Sequence, residues 1–148
     1  MKKILFLFVL CVSLMQVACA DSEKAIGLTD LPQQAQTFVK QYFADAKVGY
    51  YQKERDGLTV TYKVVFLNGD KLEFNKKGEW IDVDCKTLSV PEDIVPQEIR
   101  NFVESSYPGT KVLHIEKGKR SYEVKLSNGM ELKFDLKFNV MDLEHDRD

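Results

Sequence analysis

Val60-Thr61-Tyr62-Lys63-Val64-Val65-Phe66-Leu67-Asn68-Gly69-Asp70-Lys71-Leu72-Glu73-Phe74 reads as a β-hairpin. Tyr62, Val64 and Phe66 alternate with Thr61, Lys63 and Val65, the period of two of a strand with one buried face. Asn68-Gly69 between the arms is a favoured two-residue turn, because both positions tolerate positive φ. Leu72 and Phe74 then carry the inward pattern back. The hairpin recurs: at an offset of 60, Tyr62, Val64, Asn68-Gly69, Leu72, Phe74 and Asp82 fall on Tyr122, Val124, Asn128-Gly129, Leu132, Phe134 and Asp142.

Downstream, Lys76-Lys77-Gly78 turns the chain again, and residues 79–84 return with Ile81 and Val83 inward. Residues 121–127, 130–135 and 139–144 form the matching strands of the second copy. One further strand precedes each set, near residues 47–53 and 111–117.

Upstream, an offset of 64 lays Pro32-Gln33 on Pro96-Gln97, Phe38-Val39 on Phe102-Val103 and Lys47-Val48 on Lys111-Val112. The change of offset marks a four-residue deletion between Lys53 and Tyr62, where a hairpin turn belongs. Leu31, Ala35, Phe38, Val39 and Tyr42 make one apolar stripe at helical spacing, as do Val95, Ile99, Phe102 and Val103. Asp30 is placed to cap the first helix, with Pro32 in its first turn. Tyr107-Pro108-Gly109 ends the second, since proline cannot continue it. The expected fold is α+β: two tandem α-β-β-β-β repeats over residues 28–86 and 87–148, each a helix on one face of its own four-stranded antiparallel sheet. The Pro91-containing segment Lys86–Asp93 reads as a linker.

Pro96, Ile99, Phe102, Tyr107-Pro108-Gly109, Tyr122-Glu123-Val124 and Asn128-Gly129-x-Glu131-Leu132-Lys133-Phe134 together resemble the PepSY-like, beta-lactamase-inhibitor-protein-like family of secreted bacterial proteins. Leu31-Pro32, Phe38, Tyr62-x-Val64, Asn68-Gly69 and Leu72-Glu73-Phe74 match it more loosely. The resemblance implies two helix-plus-four-strand repeats presenting one extended surface, which in the inhibitor that names the family grips an enzyme. The family's last hairpin usually carries a glycine, present as Gly78 but replaced by Phe138 in the second copy.

The ends bear on location. Met1-Lys2-Lys3, an apolar run from Ile4 to Val17 and the small-x-small site Ala18-Cys19-Ala20 predict a signal peptide over residues 1–20, with a periplasmic mature protein. The run is shorter than the ~20 residues of a membrane span, so no transmembrane segment is expected. A lipoprotein anchored through Cys19 is the less favoured alternative, because Gln16 stands where that signal wants leucine. Without Lys2 and Lys3 the mature chain carries 19 basic against 23 acidic side chains, about −4, which argues against nucleic acid. Loss of Cys11 and Cys19 leaves Cys85 alone and unable to form an internal disulfide. It reads as a half-buried strand-end residue rather than a nucleophile. The oligomeric state is open.

Catalytic signatures are missing: there is no Gly-x-Ser-x-Gly, phosphate-binding glycine loop or His-Glu-x-x-His. A non-enzyme without cofactor is expected. His114 aligns with Tyr50 and reads as a strand residue beside the core. Asp82 with Asp84, and Asp142 with Glu144, His145 and Asp146, offer carboxylates, yet neither cluster has the loop that gathers calcium's six to eight oxygens. No metal site is assigned.

Strand alternation puts Trp80, Asp82, Asp84, Lys63, Val65, Lys71 and Glu73 on an exposed sheet face, with Tyr51 beside them. The second copy contributes Glu123, Lys125, Glu131, Lys133, Val140, Asp142 and Glu144. Trp and Tyr concentrate binding energy at interfaces. The chain is therefore expected to be a periplasmic protein-binding module, an inhibitor or a sensor. Its expected contact residues are Tyr51, Lys63, Val65, Lys71, Glu73, Trp80, Asp82, Lys125, Lys133 and Val140. A small-ligand or divalent-cation binder is the alternative.

Overall fold

The structure, a computed structural model, describes residues 22–145, so the expected signal peptide, Cys11, Cys19 and Asp146 lie outside the described residues. In chain order the elements are β1 (Ser22–Ile26), α1 (Gln33–Tyr42), β2 (Val48–Asp56), β3 (Thr59–Phe66), β4 (Lys71–Asn75), β5 (Trp80–Asp84), α2 (Gln97–Ser106), β6 (Val112–Lys117), β7 (Ser121–Leu126), β8 (Met130–Asp135) and β9 (Val140–His145). Short 3-10 turns, Leu28–Asp30 and Glu92–Ile94, precede the two helices.

All nine strands form one antiparallel sheet in the order β1 to β9. This overturns the expected pair of separate helix-on-four-strand units: the fold is mostly sheet, continuous, with two helices on it. The join is β5 against β6, where Asp82 faces Glu116, Val83 faces Ile115 and Asp84 faces His114. Two isolated sheets would each leave rows of unpaired N–H and C=O groups at these edges, and pairing removes both edges at once. Alternation reports which face of a strand is buried, not what its edge bonds to. The supposed linker is also tied down, since the amides of Cys85 and Val90 donate to the carbonyls of Leu113 and Val112, both at 2.8 Å. β1, polar and without alternation, was not expected at all; it pairs along β2 from Ser22 opposite Arg55 to Ile26 opposite Tyr51.

The core lies between the sheet and both helices. Val64, Leu72, Val83, Ile115, Val124 and Leu132 form one cross-strand row of fully buried side chains from β3 to β8. Onto it α1 lays Ala35 and Val39, with Leu31 just ahead of the helix, and α2 lays Ile99 and Val103. Phe38 meets Phe74 edge-on at 5.4 Å, and Phe102 meets Phe134 the same way at 5.5 Å. Each such pair adds roughly 0.5–1.5 kcal/mol beyond its buried area.

Three local expectations change. Asp30 does not cap α1; its Oδ2 accepts the Gly27 amide at 2.8 Å and closes the preceding 3-10 turn. α1 starts behind Pro32, whose carbonyl accepts the Gln36 amide at 3.1 Å. The Asn68-Gly69 turn is a three-residue loop, with only Gly69 at positive φ and the Phe66 amide closing it onto the Asp70 carbonyl at 2.9 Å. Asn68 acts through its side chain, Oδ1 accepting the Asp70 amide at 3.0 Å. At the last hairpin Phe138 adopts φ 65, the backbone that Gly78 adopts at φ 87.

Candidate functional site: the helix-free face of the sheet

Cross-strand partners in an antiparallel pair project to one side of the sheet, so the register assigns each residue to a face. One row of the helix-free face runs Gln52, Lys63, Glu73, Asp82 from β2 to β5, then Glu116, Glu123, Lys133, Asp142 from β6 to β9. The neighbouring row runs Tyr50, Val65, Lys71, Asp84, then His114, Lys125, Glu131, Glu144. None of these side chains belongs to the buried core.

Seven of the ten expected contact residues do share this face: Lys63, Val65, Lys71, Glu73, Asp82, Lys125 and Lys133. Tyr51, Trp80 and Val140 do not. Tyr51 faces Val64, and Trp80 and Val140 face Phe74 and Phe134, so all three lie on the helix side. The cause is a set of bulges. One extra residue in β5 lies between Trp80 and Asp82, and one in β9 between Val140 and Asp142, which inverts the alternation there. Trp80, half-buried, lines a groove with Phe38, Tyr42 and Ile94, and it packs on the core where Ile81 was expected.

A further bulge between Val48 and Tyr50 brings Tyr50, 52 % exposed, onto the open face beside Val65. Gly49 was the available signal: a Cβ there would stand 3.2 Å from the Val65 carbonyl oxygen. The matching slip between Val112 and His114 turns His114 to the open face rather than the core.

Lysines and carboxylates interlock along the rows. Lys63 reaches Glu54 at 2.5 Å and Glu73 at 3.8 Å, and Lys71 reaches Glu73 at 3.2 Å. Lys133 pairs with Glu123 at 2.5 Å, and Lys125 pairs with Glu131. The hydrogen bond to Glu54 holds the Lys63 pKa above its ordinary value, and the bond to Glu123 does so for Lys133. Solvent-screened surface pairs of this kind contribute little to stability. They set the pattern of the surface more than the stability of the fold.

The centre of the face differs. Asp82 Oδ2 and His114 Nε2 lie 3.3 Å apart across the β5–β6 seam, and Glu116 lies beside them on β6. One ligand atom from each of the three falls within 4.8 Å of the others. Asp82 Oδ1 is buried with no hydrogen-bond partner among the described residues. The bond to Asp82 raises the His114 pKa, burial opposing it, and the charges of Asp82, Asp84 and Glu116 add to the rise. Of this set the sequence singled out only Asp82 as a carboxylate of interest. Glu116 carried no signal, because the seam that brings it to Asp82 exists only in the joined sheet.

Residues 60–142 match a family model provisionally described as beta-lactamase-inhibitor-like, PepSY-like. Among solved structures, a protein of the DUF2874 family from Bacteroides vulgatus, provisionally described as periplasmic, is 51 % identical, with 85 % of this chain and 99 % of that chain covered and a TM-score of 0.83. A Bacteroides thetaiotaomicron protein, provisionally named calcium-regulated and periplasmic, is 53 % identical over 83 % of this chain and 97 % of its own, at a TM-score of 0.80. A second Bacteroides vulgatus protein, provisionally periplasmic and of unknown function, is 35 % identical over 83 % and 99 %, at 0.78. No curated protein matches the chain.

Proposed function

The chain belongs to the beta-lactamase-inhibitor-like, PepSY-like family, and from that premise we propose that it is a non-enzymatic periplasmic binding module that engages a protein through the helix-free face of its sheet. One observation carries the reading: both helices and the whole apolar core lie on the other face, leaving two cross-strand rows of polar and charged side chains uncovered. A broad sheet with alternating charge suits recognition, because complementary potentials set partner choice and encounter rate. Tyr50 supplies the aromatic anchor that Trp80, facing the helices, does not.

The test is capture from an envelope extract by residues 21–148, followed by affinity measurement with the purified partner. Tyr50→Asp with Lys125→Glu should weaken binding at least ~10-fold, about 1.4 kcal/mol, at an unchanged melting temperature. Equal affinity of the double variant would move the interface off this face.

The cluster of Asp82, His114 and Glu116 favours a second reading, a divalent-cation binder. The name of the Bacteroides thetaiotaomicron relative points the same way. A rise in melting temperature with added cation separates the two, since a ligand of the native state must stabilise it.

A further inference from the structure

We propose that Asp82, His114 and Glu116 bind a divalent transition metal of the zinc class, which clamps β5 to β6 at the centre of the open face. The inference rests on the divalent-cation reading and adds to it the class of metal and the structural task.

Donor chemistry selects the class. Calcium and magnesium take oxygen ligands, calcium six to eight of them, whereas one imidazole with two carboxylates is a set that zinc accepts with a fourth position left for water. The geometry agrees. Ligand atoms about 2.0–2.1 Å from a tetrahedral zinc lie roughly 3.3 Å from one another. Asp82 Oδ2 and His114 Nε2 already stand 3.3 Å apart, long for a charge-assisted hydrogen bond. Glu116, exposed on the same face, already brings a carboxylate oxygen within 4.8 Å of the other two ligand atoms.

A second observation, on the other oxygen of Asp82, also points to a cation. Asp82 Oδ1 is buried with no hydrogen-bond partner among the described residues, whereas Glu73 pairs with Lys63 and Lys71, Asp84 with Lys86, and Glu123 with Lys133. A buried acceptor left bare in a folded protein calls for a specific cause, an ion among them. The place matters as well. β5 and β6 share three cross-strand residue pairs, against eight between β2 and β3. A metal held by one residue of β5 and two of β6 would reinforce the least extensive join in the sheet.

The experiment uses untagged residues 21–148, stripped with chelator and titrated with Zn2+ by calorimetry and thermal melting, beside Ca2+ and Mg2+. One Zn2+ should bind per chain and raise the melting temperature. His114→Ala and Glu116→Gln should each weaken it at least about 10-fold, with metal-free melting and circular dichroism showing that the variants remain folded. Stoichiometric Ca2+ binding lost in Glu116→Gln, with no response to Zn2+, would overturn the zinc class and keep the cation reading. Binding of neither ion would sink both. Zn2+ binding that His114→Ala leaves intact would put the site elsewhere.

Discussion

His114 on β6 meets Asp82 on β5 at 3.3 Å, so a contact between residues 32 apart in the chain spans the seam at the middle of the sheet. Because the partner is a carboxylate, the protonated imidazole is favoured in the folded state, against the opposing effect of burial.

That fixes a pH dependence in metal-free protein. A histidine whose folded pKa is raised contributes stability fully present below its unfolded value, ~6.5, and lost as pH rises through the higher folded value. Urea unfolding in chelator across that window should therefore show wild type losing stability relative to His114→Gln, and Asp82→Asn should flatten the difference. An NMR titration reads the group itself. A His114 midpoint at or below the ordinary histidine value would refute the pairing.

Gly78 and Phe138 occupy matching hairpins, yet one position requires glycine and the other does not. At Gly78 a Cβ would stand 2.8 Å from Pro32 Cβ and 2.9 Å from the Ala35 amide nitrogen, where α1 rests on the turn. Gly78→Ala should cost about 2–5 kcal/mol, summing left-handed strain and overpacking. Phe138 bears the strain at φ 65 and sets its ring 5.4 Å from Tyr122. Phe138→Ala keeps the strain and loses the ring, so it should be less stable than Phe138→Gly by about 1 kcal/mol in urea denaturation. A Gly78→Ala protein as stable as wild type would mean that α1 does not rest on that turn.

Much of the helix side was legible in the sequence, and the open face only in part. Helix stripes such as Leu31-Ala35-Val39 and strand alternation such as Tyr62-Val64-Phe66 are local patterns, and each was found in place. Simple strand alternation misplaces Trp80, Tyr51 and Val140, because the bulges add residues that a period of two does not accommodate. A bulge is set by pairing geometry with the neighbouring strand, which local composition does not record. The Asp82–His114–Glu116 set was hidden for a related reason. It depends on one edge strand finding another, and main-chain hydrogen bonds that join edges leave no pattern in side chains.

Cys85 follows β5 directly, buried at 2 % exposure rather than half-buried. Desolvation, with Asp70 and Asp84 adding repulsion, pushes its thiol up to about 12. Since the thiolate is the reactive form, native protein at neutral pH should resist alkylation by iodoacetamide and react fully after denaturation. Rapid labelling of the native state, followed by mass spectrometry, would contradict the burial.

One continuous sheet has a thermodynamic signature that two separate units would lack. Ile115 lies on β6, fully buried and directly opposite Val83 across the seam, whereas the chain's single tryptophan, Trp80, lies on β5. Truncating a buried isoleucine to alanine costs about 2–5 kcal/mol. If the sheet melts as a whole, Ile115→Ala should shift the Trp80 fluorescence transition by the same amount as the far-ultraviolet circular dichroism transition, the coincidence expected of a two-state domain. Independent units would respond differently. The fluorescence midpoint would hold at its wild-type position while part of the dichroism signal melted early, and that outcome would break the joined-sheet description at β5–β6.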